Sequence, residues 1–300
     1  MALAAIDWIT SVMFVSEQQF YLTFIYILAG LLGLVVGSFL NVVIYRVPNQ
    51  MSISYPPSHC PNCDYKLRWY DNIPVVSYLI LGGKCRCCKQ KISIRYTIVE
   101  ILNMVLWLLC VYVFLDNHGN GGMIHMNEYF ERMNFAYAII AMIASSVFIC
   151  IAFIDLENMF IPDRFQIILA CLGAAAIGFN FLGFNDGITW LERLIGCGGS
   201  LVLFLIIYFA GMLVFKREAT GIGDIKLVTA AGLLLGWKSM ILAIFIGYLS
   251  GAIVLTIAKR VRKDEEYTEY PFGPFLVFGM IIAMLFGNQI INAYLSLMQI

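Results

Sequence analysis

Long runs of apolar residues, separated by short polar segments, dominate the chain. A helix needs about 20 apolar residues to cross a bilayer. Seven runs reach roughly that length: 20–45, 96–115, 134–154, 165–184, 194–215, 239–258 and 275–298. The composition agrees, because 61% of the 300 residues are hydrophobic and 13% are charged, against about 45–50% and about 25% in soluble domains. The pattern predicts an all-α polytopic membrane protein.

Basic residues are concentrated in alternate segments between these runs. Sixteen of the 19 Lys and Arg residues fall in four segments: 46–95, 155–164, 216–226 and 259–263. The positive-inside rule places such segments in the cytoplasm and the N-terminus outside. Because 216–226 and 259–263 would then face the same side, the chain must cross twice between them. We therefore expect the shorter run 225–237 to be an eighth span, with a turn near Gly236 and both termini outside.

These assignments divide the chain into three parts. Residues 1–45 hold an N-terminal segment and the first span, 46–95 form a small cytoplasmic domain, and 96–300 form a seven-helix membrane domain. The domain 46–95 is too small for a large hydrophobic core and needs an additional cross-link, such as a bound metal ion. The formal net charge is zero, so the total charge says nothing about nucleic acid or acidic partners. From the apolar runs we expect the lipid bilayer as a partner, and we expect no nucleic acid.

Two CxxC pairs in the small domain have the spacing of a metal site. Cys60 and Cys63 form the first pair and Cys85 and Cys88 the second, with 21 residues between the pairs. Two such pairs can supply four thiolates to one tetrahedral Zn²⁺. Cys87 is an alternative fourth ligand, but Cys88 preserves the CxxC spacing. Unligated thiols or a redox pair are the alternatives to zinc, although a reducing cytoplasm disfavours disulfides. A closed four-cysteine site would be structural.

Two aspartates at membrane boundaries are the main candidates for chemistry. The chain has no GxSxG or HExxH motif. The third span ends at Asp155, and the short sixth span begins at Asp224, after Gly221 and Gly223. Both lie on the predicted cytoplasmic side, so they can meet, share one proton and act as an aspartic-protease pair. The alternatives are solvated interfacial carboxylates, or an ion relay of a transporter, which usually lies nearer mid-membrane.

Two further acids are weaker candidates. Asp163 follows Pro162 at the start of the fourth span, where a carboxylate suits a helix N-terminus. Glu100 lies a few residues into the second span, where it can reach towards the interface or pair with Arg95. For Asp163 the structural role is favoured over catalysis.

A series of motifs in fixed order resembles the type IV prepilin peptidases, membrane aspartic proteases of the GxGD type. Besides the four cysteines, the matching segments are Gly37–Arg46, Trp69–Pro74, Ile154–Asp155, Ile161–Asp163, Gly221–Lys226 and Pro271–Pro274. The resemblance covers nearly the whole chain, and a match to so many motifs in the same order is specific to this family.

The resemblance implies a function and assigns roles to residues. Asp155 and Asp224 would be the catalytic aspartates. The cysteines tied to zinc would be Cys60, Cys63, Cys85 and Cys88. The enzyme would lie in a bacterial inner membrane and remove the basic cytoplasmic leader of a prepilin or pseudopilin after a glycine, in type IV pilus or type II secretion systems. Such enzymes often also methylate the new N-terminal residue from S-adenosylmethionine. A peptidase without methyltransferase activity is the alternative.

Overall fold

The computed structural model describes residues 2–116, 128–182, 186–216, 220–262 and 270–298. Within these ranges the regular structure is helical, apart from two isolated β-bridges. The helices are α1 (Ala2–Arg46), α2 (Val76–Ile80), α3 (Arg95–Val111), α4 (Glu128–Asn158), α5 (Asp163–Phe181), α6 (Trp190–Phe215), α7 (Ile222–Arg262) and α8 (Gly273–Leu297). A 3-10 turn at Trp69–Asn72 precedes α2, and a π-helical turn at Tyr112–Asp116 follows α3. The predicted all-α architecture is confirmed.

Seven helices in the described part of the chain are long and apolar enough to cross a membrane. They include α1 from Gln19 onward and α3 together with its π-helical turn. Each predicted run of spanning length coincides with one of these helices. Two runs extend slightly further than the helix: 165–184 passes the end of α5 at Phe181, and 275–298 passes the end of α8 at Leu297. The prediction of a polytopic membrane protein is therefore confirmed. The five-residue α2 is too short to span.

The first of two compact units comprises Met1–Phe39 and His59–His125. In it, α1 and α3 approach closely because two residues of α1 have no side chain. A Cβ on Gly33 would lie 2.9 Å from the Met104 backbone, and one on Gly37 would lie 2.7 Å from Glu100 Cα. Asn103 Nδ2 also donates a 2.7 Å hydrogen bond to the Gly33 carbonyl. Small residues and polar side chains commonly join helices in this way in membranes.

The second unit comprises Leu40–Ser58 and Met126–Ile300. Here α7 packs against α5, α6 and α8. Two facing glycines, Gly196 of α6 and Gly232 of α7, bring those helices together, because a Cβ on either would collide with the backbone of the other. The division of the chain at 1–45, 46–95 and 96–300 stays a prediction.

Helix α7 is broken at Gly236, where φ is 73° and ψ is 167°. The break leaves the preceding carbonyl groups without helical partners. Arg193, buried in α6, donates to the Leu234 carbonyl and forms an ion pair with Asp186. A second ion pair joins Lys238 to Glu192 at 2.8 Å. The break therefore lies at the N-terminal end of α6.

The contacts on either side of Gly236 show that the chain reverses there. Before the break, Ser200 of α6 donates to the Val228 carbonyl. After it, a Cβ on Gly247 would contact Leu276 of α8, and one on Gly251 would contact Phe272 at the start of α8. The part of α7 after Gly236 thus returns towards the end where α7 began. The eight crossings and the outside N-terminus stay predictions.

Candidate active site

Asp155 lies in the last turn of α4, where its side chain is buried. Its Oδ2 accepts a 3.0 Å hydrogen bond from the backbone N–H of Gly273. Because Gly273 is the first residue of α8, the carboxylate lies at the positive end of a helix dipole. A glycine is required here, since a Cβ would lie 2.6 Å from Asp155 Oδ2.

Asp224 is the third residue of α7 and is partly exposed. Its N–H donates to the Gly221 carbonyl at 3.1 Å, which begins the helix. A Cβ on Gly221 would lie 3.5 Å from Asp224 Oδ2. The Asp155 and Asp224 carboxylates lie close enough for one charge to act on the other. The structure therefore brings together the two aspartates that the sequence singled out.

Ile161 and Gln166 hold the two aspartate-bearing regions together. Ile161 is buried between them: its Cβ would lie 3.4 Å from a Cβ on Gly223, and its Cδ1 would lie 3.3 Å from one on Gly273. The buried Gln166 donates from Nε2 to the Gly223 carbonyl at 3.3 Å. The region from Ile161 to the first turn of α5 thus fixes the starts of α7 and α8 relative to each other.

Asp163 lies nearby but outside the carboxylate pair. It is the first residue of α5, as expected for a helix N-terminus. Its Oδ1 forms a 2.8 Å ion pair with Lys226 Nζ, and both side chains are at least half exposed. Exposed pairs of this kind contribute about 0–1 kcal/mol. The pair joins α5 to α7 at the surface.

Aromatic side chains border the aspartates. The rings of Tyr248 and Phe272 have centroids 4.8 Å apart, and Phe272 immediately precedes Gly273. Two carboxylates in partly apolar surroundings, one of them fixed by a backbone N–H, can divide general-acid and general-base roles at a peptide bond.

In the first unit, the two CxxC pairs lie in equivalent turns. Asp64 donates its N–H to the Cys60 carbonyl at 2.9 Å, and Lys89 donates its N–H to the Cys85 carbonyl at 3.1 Å. Both donors have left-handed backbones, with φ of 53° at Asp64 and 59° at Lys89. Both turns therefore present two sulfurs to the same side.

The four sulfurs fit a tetrahedral ion. The Sγ atoms of Cys60, Cys63, Cys85 and Cys88 all lie within 4.8 Å of one another. The Cys60–Cys88 distance is 3.8 Å and the Cys63–Cys85 distance is 4.0 Å. Zinc–sulfur bonds of about 2.3 Å in a tetrahedron separate the sulfurs by about 3.8 Å. Backbone N–H groups of the second turn, chiefly that of Cys88, lower the pKa of Cys85 to about 7. Cys87 is exposed and lies outside the group.

Asp71 connects the second cysteine turn to the 3-10 turn. Its side chain is fully buried, and its Oδ1 accepts a 2.7 Å hydrogen bond from Arg86 Nε. Oδ2 accepts from the Arg68 N–H at 3.3 Å and from the Tyr65 hydroxyl at 3.2 Å. Burial opposes the charge of Asp71, but the Arg86 and Arg68 donors outweigh it and lower the pKa of Asp71. The Arg86 guanidinium also stacks over the Tyr70 ring.

Glu100, the remaining acid considered from the sequence, is buried in α3 and belongs to the first unit. Its Oε2 accepts a 2.7 Å hydrogen bond from the Val75 N–H. The chain folds back at Val75 to meet this side chain. Its expected reach towards the interface or pairing with Arg95 stays a prediction. Gly273 was named from the sequence only as part of the matching segment Pro271–Pro274, without a role. The dipeptide Gly273-Pro274, a helix-start pattern, was the signal that could have drawn attention to it.

Comparison with known proteins shows which families and proteins the chain resembles. Residues 31–114 match the bacterial peptidase A24 N-terminal domain, and residues 142–256 match the type IV leader peptidase family. The chain is similar to proteins named prepilin leader peptidase/N-methyltransferase. It is 30% identical to the one from Pectobacterium carotovorum (86% of this chain, 92% of the relative) and 32% identical to the one from Pseudomonas aeruginosa (89% and 92%). For the Legionella pneumophila protein the identity is 31% (92% and 96%). No solved structure matches the chain.

Proposed function

Because the chain belongs to the type IV leader peptidase family, we propose that Asp155 and Asp224 are the catalytic pair of a membrane aspartic endopeptidase. The enzyme cleaves the leader peptide of type IV prepilins or pseudopilins, in agreement with the names of its relatives. The seven apolar helices of the described residues and the bacterial relatives together support a multi-pass protein of the bacterial inner membrane. In our proposal the scissile bond follows a glycine at the cytoplasmic boundary, where glycine makes local unwinding of the substrate helix less costly.

The proposed reaction uses one water molecule and the two carboxyl groups. One carboxylate removes a proton from the water as its oxygen attacks the scissile carbonyl carbon. The other carboxyl group gives its proton to the carbonyl oxygen, which yields a tetrahedral diol. As the diol collapses, the carboxylate that gave up its proton takes one from a diol hydroxyl, the carbonyl group re-forms and the C–N bond breaks. The other carboxyl group gives the proton it took from water to the departing nitrogen, so both groups return to their starting protonation states.

One observation carries this proposal: a buried carboxylate, Asp155, is held by the first N–H of α8 within range of the charge of Asp224. A pair used only as solvated interfacial groups would not need a buried member fixed by a helix N-terminus. An ion relay is less well supported, because Asp155 lies in the last turn of α4 and Asp224 in the first turn of α7.

The experiment is cleavage of a purified prepilin by the full-length enzyme in detergent or liposomes. We expect Asp155→Asn and Asp224→Asn each to lower kcat/KM by about 10²–10⁴-fold, the usual loss when a general acid or base is removed. Asp163→Asn is the matched control: an exposed aspartate at the same end of α7, which should keep activity near that of the wild type. Turnover near the wild-type value in either of the first two variants would contradict the proposal.

We further propose that the same protein methylates the new N-terminal amine with S-adenosylmethionine as the donor. The support is the printed name of the relatives, which couples leader peptidase to N-methyltransferase. Mass spectrometry of the processed pilin tests it. A product heavier by one methyl group when S-adenosylmethionine is supplied supports the second activity, and an unmodified amine indicates a peptidase alone.

We propose that the four-cysteine cluster binds one Zn²⁺. The support is the set of sulfur distances, which suits tetrahedral thiolate coordination. With all four positions filled by protein, zinc would cross-link the two cysteine turns and stabilise a domain with little core of its own. Its contribution would be to folding, with the peptide chemistry left to the aspartates.

A further inference from the structure

Helix α2 exposes large apolar side chains although it lies outside the spanning helices. Val76, Leu79 and Ile80 are 48%, 69% and 75% exposed, and the neighbouring 3-10 turn adds Trp69 at 81%. We call these four residues the α2 surface. Its helix has five residues and little stability of its own. An apolar surface on such a short element needs contact with an apolar phase.

The backbone before α2 is strained and tethered. Val75 has φ 61° and ψ −52°, an unfavourable conformation for a β-branched residue. The Val76 N–H donates to the Pro74 carbonyl at 2.6 Å, which makes a tight γ-turn around Val75. The Val75 N–H donates to Glu100 Oε2 at 2.7 Å. The strain therefore accompanies one specific contact, with a buried carboxylate of a spanning helix.

The depth of Glu100 fixes the depth of this turn. The span formed by α3 and its π-helical turn runs from Arg95 to Leu115. At about 1.5 Å per residue its length is close to the roughly 30 Å of a hydrocarbon core. Glu100 lies five residues inside this span, about 7 Å from its end. The position of the neighbouring residue in α1 is consistent with this depth. Gly37 packs on Glu100 and also lies well inside its own span, Gln19–Arg46. The hydrogen bond holds the Val75 N–H at the same depth.

The direction of the α2 surface is also fixed. Tyr78 packs onto Gly83, where a Cβ would lie 2.9 Å from its ring, so that face of α2 is turned towards the cysteine turns. Leu79 and Ile80 follow it at about 100° and 200° around the helix, and both are largely exposed. Ile98 and Ile101 of α3, and Ile94 just before it, are exposed apolar side chains of the same unit. The α2 surface is therefore one of two exposed apolar regions in this unit, and the Val75–Glu100 hydrogen bond links the turn before α2 to the spanning helix α3.

We infer that α2 is a membrane-inserted element, with Leu79 and Ile80 among the lipids at the interface beside α3. A short amphipathic segment with an adjacent tryptophan suits this zone, where aromatic rings meet the headgroups. Glu100 satisfies the Val75 N–H, which would otherwise lie unpaired at that depth. The consequence is that the cysteine domain is anchored to the bilayer by α2 in addition to the spans that precede and follow it.

Site-specific photocrosslinking tests this inference on the full-length protein. A benzophenone amino acid replaces Leu79 or, in a second variant, Ile80, and the protein is placed in vesicles of phosphatidylethanolamine and phosphatidylglycerol. The control carries the probe at Gln90, an exposed residue of the second cysteine turn. Zinc content of each variant, relative to wild type, checks that the domain has folded.

After irradiation, intact-protein mass spectrometry should show phospholipid adducts at Leu79 and Ile80, roughly tenfold above those at Gln90. Adducts no more abundant than at Gln90 would overturn the inference. A crosslink to a second copy, or to an added prepilin, in place of lipid would also overturn it, since the surface would then bind protein. These outcomes do not depend on Asp155 or Asp224, so the proposed function stands or falls separately.

Discussion

The backbone N–H of Gly273 donates a 3.0 Å hydrogen bond to the carboxylate of Asp155, although the two residues are 118 positions apart in the chain. This contact places the start of α8 against the end of α4. Ile161 contacts both Gly273 and Gly223, so the same packing also fixes the start of α7, which carries Asp224. The candidate active site is therefore built where three helices begin or end, each supplying one part.

Replacing Gly273 by Ala should impair catalysis by displacing Asp155. The new Cβ would lie 2.6 Å from Asp155 Oδ2, so the carboxylate or α8 must move. A displacement of about 1 Å in a catalytic group can cost about 10²-fold in rate. Prepilin cleavage by the purified variant measures the effect. Gly198→Ala is the control, because a Cβ there meets open space and should leave cleavage unchanged. Equal activity of the two variants would contradict the assigned role of Gly273.

Asp71 should stabilise the cysteine domain in a way that depends on pH. Its donors lower its pKa in the folded protein, so its contribution is present above the unfolded-state pKa of about 4 and is lost as the pH falls through the lower folded value. Asp71→Asn should therefore destabilise the domain by about 1 kcal/mol near neutral pH, where the charged hydrogen bonds are intact.

Amide hydrogen exchange of peptides from segment 46–95 measures that difference. Exchange should be faster in Asp71→Asn than in wild type at neutral pH, and the two proteins should converge as the pH falls below about 4. Asp64→Asn, a nearby exposed aspartate, is the comparison. A difference that grows on acidification would show that the assigned interaction is wrong.

Gly236 should be intolerant of a side chain. Its φ of 73° disfavours any L residue, and a Cβ would lie 2.8 Å from Ile188. We expect Gly236→Ala to lower the free energy of unfolding by about 1–3 kcal/mol. Thermal unfolding in detergent measures it. Gly178→Ala, with open space around the new Cβ, should be neutral or stabilising. Equal melting temperatures for the two variants would indicate that the chain reversal is not constrained at Gly236.

The zinc content of cysteine variants should distinguish the four clustered cysteines from Cys87. Cys60→Ser removes one of the four clustered sulfurs, so the purified protein should contain much less zinc than wild type and should unfold at lower temperature. Cys87→Ser changes a neighbouring thiol outside the cluster and should retain zinc. Zinc per protein, determined by elemental analysis, provides the test. Zinc loss in Cys87→Ser and retention in Cys60→Ser would refute the assigned ligand set.

Much of this architecture could be predicted from local patterns. Apolar runs of about 20 residues identify spans because the bilayer allows few other structures. The expected turn near Gly236 coincides with the observed break. It was expected because the basic segments 216–226 and 259–263 were both assigned to the cytoplasmic side, so the chain between them had to reverse direction. The CxxC spacing likewise indicated a cluster that the sulfur distances fit. These features depend on residues close together in sequence.

Contacts between distant segments could not be predicted in this way. Arg193 appeared in the sequence only as an isolated positive charge, yet it is buried and binds the Leu234 carbonyl beside the break in α7. Glu100 was expected to reach towards the interface or to pair with Arg95, and no local pattern indicated the strained turn at Val75 that brings an N–H to it. Each of these polar side chains forms a hydrogen bond with a backbone group distant in the sequence, which no residue pattern specifies.

The central claim is that Asp155 and Asp224 act as one unit, and a double-variant comparison tests it most directly. The measurement is kcat/KM for prepilin cleavage by Asp155→Asn, Asp224→Asn and the protein carrying both changes. Residues that act together lose their function with the first substitution, so the double variant should be about as slow as either single one. Losses that multiply in the double variant would show two independent contributions and contradict the account.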